Sequence, residues 1–196
     1  MAELKDDFLS IEEGGDLRKL CAWPVDDDTP TPTTSHTFGE TPTTRVIPRN
    51  EWQPVDLSAF VSPIKDQNGI GACNAFATIN CLEACRRGRG LPDVTLSPGD
   101  LYSRINGGRD NGSLPEDALK TALLVGVATA ATVPPLQKRS IVNTADAVAE
   151  RPKYRFLEAL WCPTFDHAAS ALQQGFYLVT AVWWCGRGPV GAAGRL

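Results

Sequence analysis

The sequence predicts an α+β domain, with helices through its middle and a strand-forming segment toward its C-terminal end. Two patterns carry that expectation. Ala75, Phe76, Ile79 and Leu82 recur at helical spacing after Cys73, and Arg86, Arg87 and Gly88 supply a basic last turn and a stop. Residues 176–184, by contrast, are rich in aromatic and β-branched side chains and read as a strand.

The elements follow in order. Residues 1–45 carry little core-forming signal. Between positions 26 and 44 the chain holds three Asp and eight Thr, with almost no large apolar residue. Such a stretch cannot bury enough surface to offset its ordering entropy. Residues 1–45 are therefore expected to form an acidic, Thr/Pro-rich flexible arm, with at most a short amphipathic helix over 4–20. From Ile47 the texture changes. Residues 55–61 and Ile64 read as extended chain bounded by Pro54 and Pro63, and a polar turn containing Gly69 and Gly71 leads into the Cys73 helix. A second helix is expected from Pro115 to about Val125, closed by Gly126, and a third over 168–174, ended by Gly175. Residues 185–196, rich in Gly, Ala and Arg, show no periodicity and read as an irregular tail. The expected division is an arm over 1–45, a domain over 46–184 and a tail over 185–196.

Composition excludes several classes of function. Net charge is -4 and the 19 Lys and Arg are scattered, whereas phosphate binding needs a concentrated basic face. Nucleic acid is not an expected partner. No apolar run reaches the roughly 18–20 residues that span a bilayer, so no membrane partner is expected either. The N-terminus, MAELKDDFLSIEEGGD, is acidic and lacks the basic-then-apolar plan of a secretory signal; a cytoplasmic location is the expectation. The six cysteines (Cys21, Cys73, Cys81, Cys85, Cys162 and Cys185) then read as thiols rather than as a disulfide framework. None of them pairs at zinc-ribbon spacing, and Cys81 and Cys85 stand one helical turn apart. Neither a metal nor another cofactor is expected.

Cys73 is the candidate for chemistry. At the first turn of a helix, unpaired N–H groups create a positive potential that favours thiolate over thiol. A thiolate is the nucleophile that acyl transfer needs. Gln67, six residues upstream, carries an amide able to donate to a developing oxyanion, with the Cys73 backbone N–H as the second donor. A buried helix cysteine after an ordinary loop would share some of these features, so the surrounding residues decide between the readings.

Those surroundings resemble the nucleophile region of papain-like cysteine peptidases. The matching runs are Pro63-Ile64-Lys65-Asp66-Gln67, Gly71-Ala72-Cys73 and Ala75-Phe76-Ala77. Upstream, Ile47-Pro48-Arg49-Asn50-Glu51-Trp52 is loosely similar to the start of the family's mature domain. Downstream, Leu96-Ser97-Pro98 resembles its Leu-Ser segment, and Asn111-Gly112-Ser113-Leu114-Pro115 its Asn-Gly-Gly substrate-binding turn. The resemblance runs from Ile47 to about Pro134. It implies a papain-like fold with the helical first lobe largely present and the β-rich second lobe incomplete. It also implies thiol-dependent hydrolysis of a peptide or protein substrate through an acyl-enzyme on Cys73. Gln67 would serve the oxyanion hole, and Gly112 and Ser113 would face the peptide, which pairs as an added strand. Three positions depart from the family: Asn74 replaces an aromatic residue, Ile70 a disulfide cysteine, and Ser113 the second glycine of the binding turn.

Such a thiol needs a histidine as base and acid and an Asn to orient it. In the family these follow the cysteine by about 130–150 residues, which here falls past Leu196. His36 lies in the Thr/Pro-rich arm. Asp166-His167-Ala168 is similar to the family's catalytic Asp-His-Ala. The spacing instead favours a helix before a second-lobe strand, with His167 at its N-terminus and Asp166 as a possible cap. The expectation is a peptidase domain cut short in its second lobe, weakly active or inactive. The alternative is a non-catalytic peptide-binding relic.

Overall fold

The computed structural model describes residues 36–181, together with the backbone pairing of two short N-terminal strands. Those strands, β1 (Ile11–Glu13) and β2 (Asp16–Arg18), pair antiparallel with Glu13 opposite Asp16. The amphipathic helix expected over 4–20 is therefore not what this segment forms. Two glycines, Gly14 and Gly15, separate the strands in sequence. That is the two-residue spacing of a tight hairpin, and glycine is the poorest non-proline helix former.

The body of the molecule is helical. The helix α1 (Cys73–Gly88) packs against both α2 (Pro98–Ile105) and α3 (Pro115–Leu124), which also pack on each other. Ala75, Phe76, Ile79 and Leu82 face this junction, where they meet Leu101, Tyr102, Ala118 and Ala122. Local signals set the helix starts. Ser97 caps α2 by accepting from the Asp100 N–H at 3.0 Å, and proline occupies the first position of both α2 and α3. Helix α1 ends at Gly88, the glycine that the sequence pattern suggested as its stop. Gly90, with φ of 69°, takes the left-handed position, while Gly90 and Leu91 donate to the Arg87 and Arg86 carbonyls.

A second apolar cluster joins Ala128, Val133 and Ala147, the last on α4 (Ala145–Glu150). Between the two clusters lies a buried ion group. Asp100 is fully buried and accepts from Arg151 at 2.7 Å, from Arg104 at 3.0 Å and from the Ala128 N–H at 2.9 Å.

The last helix, α5 (Phe165–Gln173), begins three residues earlier than expected. Thr164, not Asp166, is its cap, accepting from the His167 N–H at 3.4 Å. Asp166, already the second residue of the helix, would have to leave the helical backbone conformation to cap, so it sits in the first turn, where its charge suits the helix dipole. The helix is tied to the chain near Ile47: the Ile47 N–H donates to Ser170 Oγ at 2.8 Å, and Arg49 pairs with Asp166 at 2.7 Å.

Residues 37–44, grouped by composition with the arm, pack into this region. Phe38 is buried edge-to-face on Phe176 at 5.6 Å, and its N–H donates to the Trp161 carbonyl at 2.9 Å. A single large aromatic residue is enough to anchor a stretch of otherwise polar chain. The strand expected over 176–184 is not formed in its described part, 176–181, which is irregular. A strand exists only through a ladder, and no partner strand lies beside it among the described residues. Residues 182–184 and the tail over 185–196 lie outside the described residues. Residues 55–61, read as extended, include a short 3₁₀ turn at Ser58–Phe60.

Replacing Asp100 by Asn should leave two buried guanidinium groups without a counter-charge. A loss of about 3–5 kcal/mol is expected for breaking a buried pair from one side. Urea denaturation of Asp100→Asn checks this, and an unchanged midpoint would contradict the role given to the carboxylate.

Candidate active site

The candidate site is built from two loops brought against the N-terminus of α1. The first runs from Lys65 to Ala72. Its base is fixed to the helix by Glu83, a buried carboxylate that accepts from Lys65 at 2.5 Å, from the Leu96 N–H at 2.8 Å and from the Ser62 hydroxyl. Lys65 also donates to Asn80 at 3.0 Å. Beyond it the chain turns twice. The Ile70 N–H reaches the Gln67 carbonyl at 3.0 Å, and the Ala72 N–H reaches the Ile70 carbonyl at 2.7 Å. Ile70 is buried in the core and anchors the turn. Gln67 is half-buried at its start, and Cys73 is exposed at its end.

Cys73 is the first residue of α1, and the preceding residue, Ala72, offers no side-chain cap. The positive end of a helix is where a thiol ionises more readily and an oxyanion is stabilised. The sulfur lies 4.0 Å from Asn74 Oδ1.

The second loop carries Gly112 and Ser113. Gly112 has φ of 93°, a conformation that a side chain would strain. Asn74 Nδ2 donates to the Ser113 carbonyl, so the residue after Cys73 holds the second loop. The Ser113 hydroxyl is buried without a hydrogen-bond partner among the described residues.

Asp110 joins the two loops. Its Oδ1 accepts from the Gly71 N–H at 2.9 Å and from the Tyr102 hydroxyl at 2.9 Å, and that hydroxyl in turn lies 3.3 Å from the Gly112 N–H. Burial pushes the Asp110 carboxyl up. Donation from Gly71 and Tyr102, with the charges of Lys138 and Arg139, outweighs that and holds it below the usual carboxylate range. The loops touch closely here. A Cβ on Gly71 would lie 2.9 Å from the Gly112 nitrogen.

Sequence reading placed Cys73, Gln67, Gly112 and Ser113 in the site, and the fold gathers the loops that bear them. It missed Asp110, Tyr102 and Asn74. The signal for Asp110 was its place just before Asn111-Gly112; nothing local pointed to Tyr102. His167 stands in the first turn of α5, its Nδ1 2.6 Å from Thr164 Oγ1, with its ring facing the Gly39 turn. Among the described residues no three His, Cys, Asp or Glu side chains gather as a metal site requires, and no helix is long and apolar enough to cross a membrane.

No protein-family model matches the chain, and no curated protein matches it in sequence. Solved structures do match. Digestive procathepsin L 3 of Tenebrio molitor larval midgut aligns over 62% of this chain and 42% of its own, at 18% identity and a TM-score of 0.48. The bromelain protease of Ananas comosus aligns over 45% and 42%, at 26% identity and a TM-score of 0.41. Xylellain, a cysteine protease from Xylella fastidiosa, aligns over 62% of this chain at 19% identity, with a TM-score of 0.53. The chain has the papain-like cysteine protease fold. The superposition on xylellain carries that statement, and the chain spans 53% of xylellain's length. In papain-like terms, the described residues comprise a helical lobe and an incomplete second lobe, whose β strands are not formed among them.

Two outcomes test the geometry. Gly71→Ala should force the two loops apart, costing about 1–3 kcal/mol as overpacking does, measurable by thermal or chemical denaturation. Stability drawn from the Asp110 tie is complete above the unfolded carboxylate pKa of about 3.9 and is lost as pH falls through the lower folded value. That acid-side dependence should vanish from the melting profile of Asp110→Asn.

Proposed function

We propose that the chain bears the nucleophile and peptide-binding turn of a thiol-dependent peptidase. Cys73 attacks the carbonyl carbon of a bound peptide bond, and the carbonyl oxygen takes the charge. Gln67 and the Cys73 backbone N–H donate to that oxygen. Gly112 and Ser113 hold the peptide in an extended form beside the helix start. The observation that carries this reading is an exposed thiol on the first residue of a sixteen-residue helix with no side-chain cap.

Neither histidine is assigned as the general base in this reading. His167 is engaged with Thr164 at the start of α5. The 196 residues by themselves are therefore proposed to turn over peptide slowly or not at all, since an oxyanion hole without a base falls far short of a working triad. A peptide-binding role without catalysis is the second reading. It is favoured by Asn74, whose amide holds the binding turn while its oxygen faces the Cys73 sulfur.

An electrophilic peptide probe separates the readings. Modification mapped to Cys73, weakened in Gln67→Ala and accompanied by little hydrolysis, is the expected result. Fast hydrolysis that is lost in His167→Ala would restore that histidine as the base. Peptide binding that persists in Cys73→Ser while the wild-type thiol stays unmodified would favour the binding role.

A further inference from the structure

The loop between Gln67 and Cys73 turns on an Asn-Gly pair. Asn68, with φ of 49°, is the one residue other than glycine at positive φ among the described residues, and Gly69 follows at 69°. Two successive positive φ values, closed by the Ile70 N–H on the Gln67 carbonyl at 3.0 Å, are the pattern of a type I′ turn. Both residues are exposed, and a Cβ on Gly69 would meet nothing within 4 Å. The Asn68 N–H donates to Asp66 Oδ1 at 2.7 Å. Neither the Asn68 carboxamide nor the Gly69 N–H has a hydrogen-bond partner among the described residues.

The chain holds two further Asn-Gly pairs, Asn106-Gly107 and Asn111-Gly112, and the fold restrains each. Asn106 is buried. Its Nδ2 donates to the Lys138 carbonyl, and its Oδ1 accepts from the Gly108 N–H at 2.8 Å. Asn111 is exposed, yet the nitrogen that follows it, on Gly112, lies 3.3 Å from the Tyr102 hydroxyl oxygen, and that hydroxyl donates to Asp110.

We infer that Asn68 is a site of spontaneous modification, deamidation through a cyclic imide, in the loop that carries the proposed oxyanion donor. The backbone nitrogen of the next residue must reach the side-chain carbonyl carbon, and a glycine in open solvent obstructs that approach least. The Gly69 nitrogen, its proton taken by hydroxide, attacks Asn68 Cγ. The N–Cγ bond forms, the Cγ–Nδ2 bond breaks, and Nδ2 takes a proton from water and leaves as ammonia. Water then opens the ring. Addition at Cγ gives an aspartate. Addition at the backbone carbonyl carbon of residue 68 gives an isoaspartate, with the chain routed through Cβ and lengthened by a methylene.

Either product places a carboxylate between Gln67 and Cys73. A negative charge there opposes both a thiolate and an oxyanion, and the isoaspartate also lengthens the turn that sets Gln67. This consequence for Cys73 rests on the proposed peptidase chemistry; the modification itself does not.

The test ages the full-length protein in mildly alkaline buffer and follows each Asn-Gly pair by peptide mapping with isoaspartate detection. Asn68 should convert several-fold faster than Asn106 and Asn111, and the three rates should converge in urea, where only the shared dipeptide remains. Conversion at Asn106 or Asn111 as fast as at Asn68 in the folded protein overturns the inference, as does a preference for Asn68 that persists unchanged in urea. Labelling of Cys73 by an electrophilic peptide probe should fall several-fold in the aged protein. It should hold in Asn68→Gln protein aged alongside, because the longer side chain cyclises far more slowly. An equal fall in both overturns the link between residue 68 and the thiol. Fresh protein whose Cys73 ignores the probe counts against the peptidase chemistry alone, since the mapping at Asn68 is decided without it.

Discussion

One carboxylate oxygen, Asp110 Oδ1, holds the two loops of the candidate groove in register. It accepts simultaneously from the backbone of the loop before Cys73 at Gly71 and from the Tyr102 hydroxyl on α2. The same hydroxyl faces Gly112 on the opposite loop. A charged acceptor with two well-placed donors is about twice as strong as a neutral pair, and it fixes direction as well as distance. The glycine at 71 is the steric counterpart of that tie, since the loops approach more closely than a side chain would permit.

Two further buried acids perform related tasks deeper in the fold. Glu83 joins α1 to the chain at Lys65 and Leu96, and Asp100 joins α2 to Arg151 and Ala128. Burying a carboxylate costs several kcal/mol before any partner is counted. Each acid here is met by a cation and by a backbone N–H, so that cost is offset at a point where distant segments cross. A hydrophobic replacement could fill the same volume but would not dictate which backbone group it meets. The loops that form the site inherit their positions from these crossings.

Position along α1 separates its three thiols chemically. Cys73 stands at the helix start, exposed to solvent. Cys81 stands mid-helix and is buried. Cys85, near the basic end, is half-buried and borders a cavity that Arg89 also lines. Thiol reactivity follows such surroundings rather than residue type. One helix therefore sets its three thiols in three different surroundings.

The sequence by itself determined the elements whose signals act within a turn of helix. Cys73 as the start of α1 and Pro115 at the start of α3 were both legible, because capping and backbone restriction are settled by immediate neighbours. The likeness of the Gln67–Cys73 and Gly112–Ser113 runs to a known peptidase plan was legible for the same reason: each run is short and contiguous. Only the tertiary structure decided which residues meet across long separations. Asp110 lies 39 residues from Gly71, and Asn74 is the same distance from Ser113. It also decided that Phe38 anchors a polar stretch and that residues 176–181 remain irregular, since burial and strand pairing belong to partners far along the chain. Local rules choose an element's beginning; a hydrogen bond between loops exists only after packing has brought its two ends together.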